Sequence, residues 1–253
     1  MSVVVTVAHA LAILGVGLVG GAVNTIVGAA SLLTFPVLLA LGYPAVVANV
    51  SNSIGLGVPG SLSGAYGYRQ ELAGQRRRVL ALLPAALAGG VAGAALLLAV
   101  PGAFRDVVPW LIFAAVGLVL VQPRLARRRA RRGVVAEHPG PALHGGLFAT
   151  AVYGGYFGAA QGVIMLALFG ATLDDDLQRL NAAKNLISAL VNAVAGVVFV
   201  IWAHVDWWIV VLLGVSSVAG GQIGATLGRR IPANVLRTAI VLVGTAVAIK
   251  LLV

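Results

Sequence analysis

Apolar runs dominate this chain, and the polar residues that interrupt them gather in a few places. Read run by run, the pattern predicts membrane-type helices at 3–27, 45–66, 79–100, 106–121, 143–171, 181–203, 206–228 and 233–253. Several reach or exceed the ~20 residues that an α-helix needs to cross a hydrocarbon core. The short alternating segments of a membrane β-barrel do not occur in the sequence. The first and fifth runs are too long for one plain span each. The first continues through GGAVNTIVGAASLLTFP to Gly42, and the fifth passes through YGGYFGAAQG. Each reads as a helix followed by a broken or re-entrant half-helix. Backbone leaves the helix at membrane depth only where protein or a water-filled cavity satisfies it.

The pattern also repeats. Residues 88–94 read AGGVAGA and residues 219–225 read AGGQIGA, an offset of 131, which also puts Pro101 on Pro232. Gly28–Ser31 (GAAS) stands opposite Gly158–Gln161 (GAAQ), and Asn52 stands opposite Asn185 within a residue or two of that offset. The predicted organisation is an N-terminal four-helix half at 1–121, a basic linker at 122–142 and a C-terminal four-helix half at 143–253. Duplicated halves with matched breaks are the pattern of secondary transporters, whose site lies between the repeats.

Composition narrows the class. Hydrophobic residues make up 60% of the chain and charged residues 9%, with mean hydropathy +1.02. A soluble domain carries about 25% charge. The expected fold class is an all-α integral membrane protein with about eight transmembrane helices. The absence of cysteine excludes disulfides and thiolate chemistry. Ala8-His9-Ala10 resembles a cleavage site, but no basic stretch precedes it, so a signal peptide is not expected.

The net charge of +10 sits mostly in two short loops. One holds Arg69 and Arg76–Arg78, the other Arg124, Arg127, Arg128, Arg129, Arg131 and Arg132. The positive-inside rule puts both loops in the cytoplasm, with a multi-pass chain in the cell membrane. Counting eight crossings then gives cytoplasmic termini, Asp174–Asp176 on the outer face, and parallel halves. Arg229 and Arg230 run against that count. The linker arginines suit anionic lipid head groups rather than nucleic acid. Homo-oligomeric assembly is compatible with the sequence.

The candidate site residues are the polar ones within the spans. Lys184 lies about one turn into the sixth span, and Asn181, Asn185, Ser188 and Asn192, spaced i, i+4, i+7 and i+11, share one face of the same helix. An intramembrane lysine that faces a cavity is a functional candidate, and one near a span's start also fits simple snorkelling. A polar stripe likewise fits helix–helix hydrogen bonding. In the second span Asn49, Ser51, Asn52 and Ser53 precede Pro59, which frees the carbonyl of Gly55. Asn24, Thr25, Ser31 and Thr34 flank the first break, and Gln161, Tyr153 and Tyr156 the second. Half-helix N-termini would add free N–H groups and a positive dipole end at each break. One lysine, several amides and no central carboxylate suit an anion. The glycine stripes at Gly57, Gly60 and Gly64, at Gly89, Gly90 and Gly93, and at Gly220, Gly221 and Gly224 read as close helix packing. His9, His138, His144 and His204 have no metal-ligand spacing, and no nucleotide loop or hydrolase elbow is present. No metal, cofactor or enzymatic activity is expected.

GAASLLTFPVLLALGYPAVVANVSNS, VPGSLSGAYGYRQEL, YGGYFGAAQG, LNAAKNLISALVNAVAGVVF and AGGQIGATLGRRIP, in this order, resemble the sulfite exporter TauE/SafE family of membrane permeases. The resemblance covers nearly the whole chain. It implies seven or eight helices in two repeated halves and transport of sulfur-containing anions such as sulfite or organosulfonates. The family's polar positions fall on Asn49, Asn52, Lys184 and Asn185, four that the residues alone had marked. The expected function is a secondary transporter of a small oxyanion, with export as the expected direction, working by alternating access. Asn49, Asn52, Lys184, Asn185, Ser31, Gln161 and Asn181 are its substrate-binding candidates. An anion channel on the same residues, or a membrane-embedded assembly protein, stays open from sequence.

Overall fold

The computed structural model describes residues 6–130 and 140–227, with the backbone alone for 122–130, and Thr238, Val241, Leu242, Thr245, Ala246 and Ile249 beyond them. These residues are helical apart from short connections. The expected eighth span at 233–253 and the linker's Arg131 and Arg132 lie outside the description, but for those six residues.

Helix α1 (Val7–Ile26) is apolar on nearly every side, as a membrane span must be, and Thr6 caps its start by accepting from His9 N. It ends where Gly28 takes φ +81°, with the N–H groups of Val27 and Gly28 both turned back to Val23 O. The ten-residue helix α2 (Ser31–Ala40) then returns alongside α1, which Gly20 shows by facing Thr34 and Ala30. A helix followed by a shorter one that turns back beside it is a hairpin, which leaves the chain on the side where it began. The second hairpin is built in the same way. Helix α8 (Pro141–Tyr156) ends at Gly158, φ +74°, and α9 (Gln161–Thr172) returns beside it, with Gly146 facing Leu168.

Between the hairpins run α3 (Ala45–Asn52), a π-helical turn (Ser53–Gly57), α4 (Val58–Gly67), the single turn α5 (Arg69–Leu72), α6 (Arg76–Ala99) and α7 (Pro101–Ala130). After them come α10 (Leu177–Trp202) and α11 (Trp207–Leu227). Among the described residues five helices, α1, α6, α7 through Val121, α10 and α11, are long and apolar enough to cross a membrane. Helix α7 runs further than the expected span at 106–121. It continues to Ala130, so the start of the basic linker is helical.

Glycines set the close contacts. A Cβ at Gly89 would meet Ala151 of α8 at 2.6 Å, and one at Gly93 would meet Tyr156 N at 2.8 Å. At the equivalent positions 131 residues on, Gly220 and Gly224 lie against Leu18 and Ala22 of α1. These contacts fix directions. Helix α6 runs parallel to α8 and to α10, because Gly90 meets Val191 and Val194 while Gln75 meets Arg179. Helix α1 runs parallel to α11 and α4. Helix α4 in turn is antiparallel to α10, since Gly57 meets Asn192 and Gly64 meets Asn185. The two hairpins therefore enter from opposite ends.

Three sequence expectations change accordingly. Arg76–Arg78 and Asp174–Asp176 do not lie on opposite faces: Arg78 Nη1 contacts Asp175 Oδ2 at 2.5 Å. The halves are not parallel, because α1 and α8 point in opposite directions. Val7, where α1 begins, stands at the end away from Arg76–Arg78 and not on the side of that basic loop. All three errors have one cause. Each hairpin was counted as one crossing, and a hairpin makes none. Asp175 itself is partly buried, which pushes its carboxyl up. The Arg78 hydrogen bond, the Asp176 backbone N–H and the charges of Arg78 and Arg179 outweigh that and hold it below the usual carboxylate range.

Candidate functional site

The hairpin tips meet in the middle of the molecule. Gly162 N donates to Gly28 O at 3.1 Å, and a Cβ on either glycine would strike the other's Cα, at 2.5 or 2.6 Å. Only two glycines can cross so closely. The N-termini of α2 and α9 therefore turn inward, with the N–H groups of Leu32 and Leu33 and of Gln161 and Val163 bonded back into the turn before each helix. Their positive dipole ends converge near the crossing.

The ends of α1 and α8 bring the opposite problem, carbonyls left free by the breaks, and side chains from across the molecule meet them. Asn181 Nδ2 donates to Thr25 O at 3.1 Å, and Asn49 Nδ2 donates to Tyr156 O at 2.9 Å. The two bonds are counterparts: Thr25 and Tyr156 are 131 residues apart, Asn49 and Asn181 132. Asn185 Nδ2 adds a bond to Thr25 O at 3.3 Å. Lys184 is almost wholly buried, and its Nζ donates to Asn24 O at 3.1 Å and Thr25 O at 3.5 Å. Its side chain runs past the start of α9, where a Cβ on Gly162 would sit 3.2 Å from Lys184 Cδ. The ion pairs among the described residues all belong to Asp175, so no carboxylate balances this ammonium.

Asn52 serves the first hairpin. It donates from Nδ2 to Ser31 Oγ at 3.0 Å and accepts at Oδ1 from Thr34 Oγ1 at 2.6 Å, which anchors the first turn of α2. Gln161 opens α9 with its amide packed against Gly154, and its buried Nε2 has no partner among the described residues. Thr25 Oγ1 and the side-chain oxygens of Asn181 and Asn185 are likewise buried and unpaired. The expected residues thus fall into three groups around one crossing: Ser31 with Asn52, Gln161 at the head of α9, and Asn181, Lys184 and Asn185 at the end of α1. Asn49 stands apart from the last group, on the carbonyl of Tyr156.

Sequence reasoning did not find the backbone half of this site. Carbonyls carry no side-chain signature, so the reading left the amide donors to a ligand or to helix–helix bonds in general, whereas several cap helix ends. Pro59 could be followed further: Gly55 O, freed by the proline, accepts from Ser217 Oγ at 3.4 Å. The π-turn over Ser53–Gly57 was not foreseen. Such turns are frequent at functional sites. An aromatic cluster completes the surroundings, with Phe35 and Phe157 edge to face at 5.3 Å and Phe104 against Phe157 at 5.8 Å.

The two reciprocal caps differ in redundancy, which gives a prediction. Thr25 O keeps partners when Asn181 is lost, but Tyr156 O has only Asn49. Asn49→Leu is expected to lower stability by about 1–2 kcal/mol and Asn181→Leu by about half of that. Thermal unfolding in detergent, with the two variants side by side, checks the order.

The sequence model described as "Sulfite exporter TauE/SafE" matches residues 13–251. Among similar proteins, the probable membrane transporter protein ORF9 of a Sinorhizobium species is 26% identical over 251 residues, covering 96% of this chain and 93% of its own. The probable membrane transporter protein YfcA of Escherichia coli is 25% identical over 244 residues, covering 94% of this chain and 87% of its own. A probable membrane transporter protein of Haemophilus influenzae is 24% identical over 241 residues. No solved structure matches the chain.

Proposed function

Because the chain belongs to the sulfite exporter TauE/SafE family of membrane transporters, we propose that it carries a small sulfur oxyanion, sulfite or an organosulfonate, out of the cytoplasm by alternating access. The observation that carries this reading is the position of Lys184. Its ammonium lies against the end of α1, its side chain runs past the inward-facing N-terminus of α9, and no carboxylate is paired with it among the described residues. Charge-assisted donors and helix N-termini are what an oxyanion needs once it leaves water. Gln161 Nε2, buried and unpaired, is a further donor within the same crossing. Asn181 and Asn185 hold the end of α1 in place so that Lys184 can turn toward the anion.

The architecture favoured by the matched contacts is an inverted repeat. Each half consists of a re-entrant hairpin and crossing helices, with the second half turned over. The support lies in the equivalent glycine contacts of α6 with α8 and α11 with α1, and in the opposed directions of α1 and α8. Inverted repeats with binding at the junction of broken helices are a recurrent carrier plan, and rocking of one half against the other exposes the site to each side in turn. The basic end, with Arg69, Arg76–Arg78 and Arg179, is assigned to the cytoplasm. Asp174–Asp176 share that end without conflict, because acidic residues weigh little in the rule. Residue 7 then faces the outside. The arginines of the linker, Arg124–Arg132, are proposed to rest on anionic lipid at the same face.

Purified protein in liposomes tests the function. Saturable uptake of labelled sulfite, with unlabelled sulfonates, sulfate and carboxylates as competitors, is the expected result, and the competition order names the substrate. Absence of uptake for every sulfur oxyanion would overturn the reading.

A further inference from the structure

The end of the molecule that carries the arginines is tied together differently from the other end. At the basic end, Asp175, in the corner between α9 and α10, holds Arg78 of α6 at 2.5 Å and Arg179 of α10 at 2.8 Å. Gln75 is buried at the centre of this cluster. Its Nε2 donates to Glu71 O and to Arg179 O, both at 2.8 Å, and its Oε1 accepts from Arg78 Nη1 at 2.9 Å. Arg179 Nη1 donates to Ala73 O at 3.2 Å. The α5–α6 turn is thereby fastened to the α9–α10 corner. At the other end, Asp206 turns its carboxylate to its own helix, accepting from Trp208 N at 3.0 Å and Ile209 N at 3.2 Å. The tie across to α3 there is one neutral bond, Asp206 N to Ser51 Oγ at 2.9 Å.

The charged tie also lies close to the site. Arg179 is two residues before Asn181 and five before Lys184, so it stands ~3 and ~8 Å further along the axis of the same helix. Breaking it frees the α9–α10 corner from the α5–α6 turn on the cytoplasmic approach to the crossing.

We propose that Arg78, Asp175 and Arg179, centred on Gln75, are the inner gate of the transporter: a latch between the α5–α6 turn and the α9–α10 corner that closes the cytoplasmic side and opens once in each cycle. This rests on the carrier reading above. The latch is closed in the structure. An ion pair suits this role, because it is strong when packed and dry and weak once water reaches it. Its position at one end alone makes the two sides of the cycle unequal.

The chain has no cysteine, so a single reporter can be placed. Ser188→Cys puts it on the polar face of α10, one turn beyond Asn185. Labelling by a membrane-impermeant thiosulfonate from the face that carries Arg76–Arg78 is measured on protein reconstituted in liposomes and shown to be folded by gel filtration. Asp175→Asn and Arg78→Gln are each expected to raise the labelling rate about tenfold, the effect of removing one partner of a packed charge pair. The charge exchange Arg78→Asp with Asp175→Arg is expected to bring it back to within about threefold of the parent. Unchanged labelling in Asp175→Asn and Arg78→Gln, with only a lower melting temperature, would make the cluster a static brace and overturn the proposal. The labelling needs no substrate. A parent that moves no sulfur oxyanion would refute the carrier reading alone, and a parent that moves one, with labelling unchanged in both variants, would refute the gate alone.

Discussion

Lys184→Gln is expected to reduce sulfite uptake at low substrate by about 100-fold, the loss of ~3 kcal/mol from an interaction between a buried charge and its counter-ion. Glutamine is the informative replacement. It is polar and nearly as long, and Thr25 O keeps its bonds from Asn181 and Asn185, so the end of α1 stays capped without the ammonium that now serves it at 3.5 Å. What disappears is the charge. If the ammonium serves only as a helix cap, uptake survives within a few-fold, and the assignment of the anion to this crossing falls. A raised half-saturation constant with unchanged maximal rate would place Lys184 in binding alone. A fall in both would show that it also acts while the site changes sides. Uptake into liposomes over a range of sulfite concentrations, for parent and variant at equal reconstituted amounts, separates these outcomes.

Gly28→Ala is expected to destabilise the protein strongly. Two effects add. The backbone there has φ +81°, where a Cβ costs about 1–2 kcal/mol. The new Cβ would also stand 2.5 Å from Gly162 Cα and 2.8 Å from its carbonyl carbon, an overlap with backbone that cannot step aside. Forcing such a contact costs a further ~1–3 kcal/mol. Gly42→Ala supplies the control. Its φ is +89°, equally left-handed, but nothing lies within 4 Å of the added atom. The difference in unfolding midpoint between the two variants therefore measures the crossing and not the turn. Equal destabilisation would mean that the hairpin tips do not press on each other. A large excess for Gly28→Ala, together with lost uptake, would tie transport to the closeness of the two tips.

The polar stripe of α10 shows how far the residues could be followed. Asn181, Asn185, Ser188 and Asn192 do share a face, and that face is buried. Periodicity was enough to find it. Its partners were beyond reach, because the acceptors at Asn24 and Thr25 are main-chain carbonyls exposed by a helix break. The break could be placed near Gly28 from composition, but whether the chain went on or turned back there could not. That choice depends on Gly28 meeting Gly162, 134 residues later.

The sequence by itself determined the membrane class, the helical character, the two breaks and the short list of polar residues near them. Each follows from local composition and period, and water, lipid and backbone act on those locally. The tertiary structure alone decided that the breaks are hairpin tips, that the hairpins oppose each other, and that Asp175 shares an end with Arg78. Each of these is a matter of direction. Direction reverses whenever a segment turns back instead of crossing, and an apolar run of a given length satisfies the hydrocarbon equally well either way.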